Sequence, residues 1–272
     1  MYVAVTGASG LLGSYLVQEL QRRGHTVLPL SRPRFALGES IAPDIFLGVE
    51  ALIHCAYDFQ AFGWQEIKRV NVDGSIRLHQ LATDAGIKRQ ILISSIAAFS
   101  ECRSLYGRGK LEVEAFVRNE NGVVIRPGLI YGDPGGRGMF GALGRAVHLP
   151  VVPIFGDGSH LFYLSHVEDL TNLIADTIEH HENQQRKIIF AANPSPITFR
   201  DLLLAISRKE TGRTPTTVKV PAVLGLALLR ALERIGMRPR FRSDSLLSMI
   251  HFDRNPALAS DPEVKQRFRI FQ

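Results

Sequence analysis

Residues 6–13 read Thr6-Gly7-Ala8-Ser9-Gly10-Leu11-Leu12-Gly13, and this glycine-rich turn constrains the chain more than any other feature. It joins an apolar run over residues 2–6 to an amphipathic pattern over residues 11–23 that predicts a helix. Gly7 and Gly10 permit a tight turn with close backbone approach, and Gly13 lets the helix lie near the strand. The first turn of a helix has N–H groups without intrahelical partners. Ser9, Gly10, Leu11 and Leu12 therefore stand where a pyrophosphate can be held. The spacing Gly-x-x-Gly-x-x-Gly is one residue looser than the common dinucleotide fingerprint. Glycines alone also mark bland turns; the strand-to-helix junction is what sets this triplet apart.

The alternation continues downstream. Strands are expected at residues 26–31, 51–55, 90–94, 122–126 and 187–191, with a weaker one at 34–37. Helices are expected at 64–85, 106–119 and 166–179. Apolar strands joined by short helical connections predict an α/β fold, a Rossmann-type doubly wound parallel sheet. Residues 133–158 are rich in glycine and proline and read as loop. Beyond Pro194 the pattern is helical, at 198–211 with Thr198 as N-cap and Gly212 as stop, and at 221–235. We therefore expect a sheet domain from 1–132 and 166–193 and a smaller, mainly helical lobe from 133–165 and 194–272. The apolar helix at 221–235 is read as a lobe-core helix, with cleft lining, dimerisation and a membrane surface as alternatives.

Of the 272 residues 45% are hydrophobic and 21% charged, enough for a sizeable core. The net charge of +6 favours anionic ligands and comes largely from Arg230, Arg234, Arg238, Arg240, Arg242, Arg254, Lys265, Arg267 and Arg269. No helix-turn-helix, zinc spacing or RNA-binding aromatic motif accompanies these residues, so a solvated basic face is expected and no nucleic-acid partner. The two cysteines, Cys55 and Cys102, have no metal-ligand neighbours at useful spacing. No signal peptide or membrane span is read, and the expectation is a cytoplasmic protein. The scattered histidines suggest no metal.

The second strand runs out at Ser31-Arg32, with no acid before Glu39. An acid at this point binds the ribose 2′-hydroxyl of NAD, whereas an arginine suits a 2′-phosphate. Ser31 and Arg32 thus favour NADP, with NAD as the alternative and a bland surface role for Arg32 and Arg34 as the third. Farther on, Tyr106 and Lys110 stand four positions apart on one face of a helix. A phenol titrates near 10, and a neighbouring ammonium favours its ionised form. Ser95, at the end of the fourth apolar run, can hydrogen-bond a reacting oxygen. Tyr-x-x-x-Lys also arises by chance as a surface pair.

In order along the chain these segments resemble the extended short-chain dehydrogenase/reductases, the NAD-dependent epimerase/dehydratase family. The resemblance extends to Ile53-His54-Cys55-Ala56, Asn71-Val-Asp-Gly74-Ser75, Arg126-Pro127-Gly128-Leu-Ile-Tyr131-Gly132, Gly156-Asp-Gly158 and His166-Val-Glu-Asp169-Leu. It implies an NAD(P)-dependent enzyme acting on a small-molecule substrate, with Tyr106 handling a hydroxyl proton. By the same resemblance Lys110 would hold the nicotinamide ribose, Ser95 would orient the substrate oxygen, and Asn71 would support the site. His54, Cys55, Ala56, Ser94 and Pro127 would lie along the cofactor. Ser94 is the alternative to Ser95, which aligns better if Phe99 matches the aromatic that follows the family motif.

Two departures bear on substrate. Ser95 and Tyr106 are closer in sequence than in most extended members, implying a more open or differently shaped pocket. Phe162 stands where sugar-nucleotide enzymes commonly carry a diphosphate-binding arginine. Net carbonyl/alcohol redox chemistry, epimerase or dehydratase chemistry with retained cofactor, and a non-catalytic NADP-binding role remain open at this stage, as does a homodimer.

Overall fold

The computed structural model describes residues 1–237, 241–253, 256 and 266–271. Of the late basic residues, Arg238, Arg240, Arg254 and Lys265 lie outside that set. The chain opens with β1 (Tyr2–Thr6), α1 (Leu11–Arg22), β2 (Thr26–Leu30) and β3 (Ala51–His54). Next come α2 (Gly63–Ile67), α3 (Asp73–Asp84), β4 (Arg89–Ile93), α4 (Leu105–Asn119) and β5 (Val123–Pro127). Then follow β6 (Leu129–Tyr131), α5 (Gly138–Ala146), β7 (Val152–Phe155), β8 (Leu161–Phe162), β9 (Leu164–His166), α6 (Val167–Glu179) and β10 (Ile188–Ala191). The last elements are β11 (Ile197–Thr198), α7 (Phe199–Thr211), β12 (Thr217–Val220), α8 (Ala222–Arg234) and α9 (Ser243–Ile250).

Six strands form one parallel sheet in the order β10-β5-β4-β3-β1-β2. Side chains alternate across it. Val3, Val5, Ile53, Ile91 and Ile125 meet Leu16 and Leu20 of α1 and Leu170 and Ile174 of α6 on one face. Ala4, Leu28 and Leu52 face Leu78 and Ala82 of α3 on the other, with Val113 and Val117 of α4 completing that layer over Leu92 and Val124. Burial on both faces explains why these strands read as continuous apolar runs. From β1 the chain turns to β2 on one side, while β3 lies on the other. A crevice opens at the carboxyl ends of the strands at such a switch point.

Residues 34–37 form no strand. Phe35 and Leu37 are buried against the β2 side of the core, but as a loop ending at Gly38, whose φ of +81° breaks the extension. The expected single helix at 64–85 is α2 and α3 joined by a π-helical turn, Lys68–Val72. The stretch 133–158, read as loop, contains α5 and β7.

A second apolar cluster joins Tyr131, Ile154, Leu164, Phe199, Leu202, Ile206 and Leu246. α7 begins and ends as its sequence suggests: the Thr198 hydroxyl accepts from Asp201 N, and Gly212 adopts φ +67°. α8 serves the lobe core with one face only. Leu226 and Leu229 pack on the cluster and Gly225 abuts Phe155, yet Val223, Leu224 and Leu228 point to solvent.

Candidate active site

A cleft of about 1630 Å³ runs from the glycine turn along the carboxyl ends of the strands to α5, α8 and α9. At its first end Gly7 has φ +67°, and a Cβ there would lie 2.9 Å from Ala56 N. A Cβ at Gly13 would be driven into the Gly7 carbonyl oxygen. Both positions therefore require glycine. Gly10 N donates to Gly7 O at 2.9 Å, closing the turn. α1 has no side-chain cap and no acid in its first turn, so its leading amides are open to an anion. Ser9, Leu11 and Leu12 line the cleft with the three glycines, and Ser31, Cys55, Ala56 and Pro127 line it farther along.

Two ion pairs flank this end. Arg32, 68% exposed, reaches across to Asp58 at 2.9 Å. Arg137, just before α5, pairs with Asp133 at 2.9 Å and leans on the turn itself, donating to Ser14 Oγ at 3.1 Å and Gly10 O at 3.4 Å. Arg137 holds the Asp133 carboxyl down at about 2. The sequence reading missed this pair inside its glycine-rich loop; the only local signal was an acid and an arginine at i, i+4.

His54 and Asn71 do not line the cleft. His54 is buried, its two ring nitrogens bound to Thr6 Oγ1 at 2.7 Å and Ser75 Oγ at 2.8 Å. Burial and the neighbouring His79 keep it neutral. Asn71, in the π-helical turn, accepts from Asp58 N at 2.7 Å and donates to Asp58 O at 3.0 Å. Both residues fix the walls from behind, Asn71 by clamping the loop after β3.

At the far end Ser104 caps α4 by accepting from Gly107 N at 3.1 Å. Asp244 of α9 accepts from Leu105 N at 2.6 Å and Tyr106 N at 3.0 Å, so a carboxylate from the distant C-terminal part holds the helix end that carries Tyr106. The Ser95 side chain stands near the Tyr106 hydroxyl and acts to lower its pKa. Ser94 turns the other way. Its hydroxyl donates to Glu114, which is buried in an ion pair with Arg126. Of the two serines, Ser95 is the one beside the phenol.

Lys110 lies behind them, its Nζ donating to Ile93 O at 2.8 Å and standing 5.2 Å from the Tyr57 ring centre. It is 6.0 Å from the Tyr106 ring centre. Burial pushes Tyr106 up to about 12, opposed by the nearby Ser95 side chain. Burial lowers Lys110 to about 8. The expected depression of the phenol by Lys110 is therefore not seen: the ammonium is turned to the β4 carbonyl, and desolvation outweighs it. Tyr57 and Phe59 pack on Tyr106, with ring centres 4.9 and 6.3 Å away. Phe162 lines the cleft 5.7 Å from the Phe199 ring and brings no charge.

Residues 3–192 match the model of the NAD dependent epimerase/dehydratase family. The chain belongs to that family. Its members are enzymes, and among this member's relatives are both reductases and epimerases. It is 34% identical to a ceramide reductase of Caulobacter vibrioides over 185 residues, 61% of this chain and 57% of that protein. It is 25% identical to a UDP-glucose 4-epimerase of Vibrio cholerae over 260 residues, 79% of each. The chain spans 57% to 64% of the length of the reductases it matches. Its fold is similar to that of MoeE5 in complex with UDP-glucose and NAD, with a TM-score of 0.71 at 22% identity, covering 92% of this chain and 97% of the other. The residues present fit a nicotinamide dinucleotide: the cradle at Gly7 and Gly13 excludes a Cβ, the α1 amides face an anion site, and Lys110 retains donors beyond the one given to Ile93. Among the described residues no helix is long and apolar enough to cross a membrane.

Proposed function

We propose that this family member is an NADP(H)-dependent oxidoreductase that reduces a substrate carbonyl, with Tyr106 as proton donor. The observation that carries the reading is that Ser95, Tyr106 and Lys110 all line the same cleft that begins at the glycine turn, with the Ser95 side chain close enough to the phenol to favour its ionised form. The turn from Gly7 to Gly13 would hold the diphosphate and Lys110 the nicotinamide ribose. When bound, the nicotinamide supplies the hydride. Ser95 donates to the substrate oxygen and fixes it beside the phenol. With a pKa near 12, Tyr106 is neutral at pH 7 and has a proton to give as negative charge grows on that oxygen. The Tyr57 ring, packed edge-on against Tyr106, shields one side of the phenol from water.

Arg32 supports the preference for NADP. It is mostly exposed and paired only across the cleft rim, so it can exchange the Asp58 carboxylate for a 2′-phosphate. The rim also exposes Phe59, Phe62, Met139 and Leu149, which suits a substrate with a large apolar part, in keeping with the similarity to a ceramide reductase. Retained-cofactor epimerisation of a nucleotide sugar is the second reading, favoured by the likeness to the UDP-glucose 4-epimerase and opposed by uncharged Phe162.

Titration of NADPH and NADH by fluorescence, followed by turnover on long-chain carbonyl compounds, tests the proposal. Stoichiometric NADPH consumption that Tyr106→Phe slows by roughly a hundredfold or more is the expected result. Tighter binding of NADH overturns the Arg32 assignment, and turnover undiminished in Tyr106→Phe overturns the role of the phenol.

A further inference from the structure

α8 is unusual in this molecule because its outward face is apolar. At 3.6 residues per turn, Leu224, Leu228, Ala231 and Ile235 fall in one stripe. Val223, Leu224, Leu228 and Ile235 are each more than 60% exposed, and Met237 just beyond is 52% exposed. The row beside the stripe, on the cleft side, holds Arg230 and Arg234, which line the cleft mouth. The helix has one acid, Glu233, and its carboxylate faces inward, accepting from Ser243 N at 2.8 Å and Ser243 Oγ at 2.6 Å. Among the described residues neither arginine has an acidic partner. The outer surface therefore combines an apolar stripe with a basic row that has no acidic partner among the described residues.

From this geometry we infer that α8 seats on an anionic lipid bilayer, its leucines entering the acyl boundary and its arginines meeting the headgroups. A helix lying in an interface is distinguished by an apolar face flanked by cations, which is the pattern here. The charge argues for lipid over a second copy. An antiparallel isologous contact across this stripe would bring the two arginine rows together, whereas acidic headgroups neutralise them. The position argues for purpose: Arg230 and Arg234 belong to both the docking face and the cleft, so a seated helix turns the apolar cleft rim toward the bilayer interface. A membrane amphiphile could then pass its polar end to Ser95 and Tyr106 without its chain crossing water. The docking itself does not depend on the hydride chemistry proposed above.

The test is co-sedimentation of the full chain with phosphatidylcholine vesicles, with and without phosphatidylglycerol. Binding is expected with the anionic vesicles. Leu224→Gln with Leu228→Gln should lower it by about tenfold or more, because two leucine side chains no longer leave water on docking. Arg230→Gln with Arg234→Gln should remove the preference for anionic vesicles, at roughly threefold to tenfold per charge. Thermal melting of each variant checks that the fold persists, which exposed positions allow. Wild-type protein that stays in the supernatant with every vesicle overturns the inference. So does equal sedimentation of wild type and the leucine variant. A dimer by light scattering that the leucine variant dissociates, without vesicle binding, overturns it in favour of a second copy. Absence of NADPH binding would defeat the proposed function and leave the vesicle result standing.

Discussion

At one end of the cleft the glycine turn leads into the uncapped first amides of α1 at a solvent-facing helix terminus; at the other Ser95, Tyr106 and Lys110 offer side chains beside aromatic rings. The charges differ accordingly. Arg32 with Asp58 is a rim pair, and Arg137, 40% exposed, covers Asp133 at the same end, while Lys110 and the Glu114–Arg126 pair are buried. Recognition of an anion can work at a wet rim, because amides and arginines keep their polarity there. The proton donation proposed for the other end calls for a drier wall, and burial there raises the pKa of Tyr106 and lowers that of Lys110.

The sharpest way to break this comparison is to remove one functional atom at each end. Tyr106→Phe deletes only the hydroxyl, and turnover should fall by roughly a hundredfold to ten-thousandfold, the range of general acid catalysis, with NADPH affinity nearly unchanged. If affinity collapses instead, the two ends are not separate. Gly13→Ala should do the reverse. Its Cβ meets the Gly7 carbonyl, so the turn must shift, at a cost of about 1–3 kcal/mol in stability by overpacking and with weakened nucleotide binding. Calorimetric melting and NADPH titration measure both effects. Arg32→Ala is milder, with an expected loss of about tenfold in NADPH affinity, as one charge-assisted contact is removed, and little change for NADH.

The contrast also explains what was legible in the sequence. The glycine turn could be read because its requirements are local: a positive φ at Gly7 and a helix starting four residues later are written in adjacent residues. Tyr106 and Lys110 could be read because a helix turns i, i+4 into a shared face. Family resemblance, rather than spacing, singled out Ser95. What escaped was contact between distant residues. Asp244 caps α4 from 139 positions away, and Asp58 meets Arg32 across 26. Neither partner carries a mark of its own. The false strand at 34–37 teaches the same lesson in reverse, since Phe35 and Leu37 are buried at alternate positions without any ladder to pair them. The failure to foresee a high phenol pKa has a similar root: sequence showed the ammonium four residues away but not the desolvation around it.

The smallest expected effect sharpens the comparison at the wet end. The Asp133 carboxyl is held at about 2 by Arg137, below its ordinary 3.8. A depressed acid stabilises the fold above its unfolded pKa and loses that contribution as pH falls through the folded value. Asp133→Asn should therefore lower stability by at most about 1 kcal/mol at neutral pH, the range for pairs near the surface. The difference from wild type should shrink between about pH 4 and pH 2, and at neutral pH it should also fall in high salt. Urea unfolding of both proteins across that window measures it. Lys110 is the opposite case: burial holds its pKa at about 8, so its ammonium is lost as pH rises through that value, and salt should scarcely matter. An Asp133→Asn penalty that ignores both acid and salt would mean that the clasp on the glycine turn is as dry as the wall around Tyr106, and the division between the two ends of the cleft would fail.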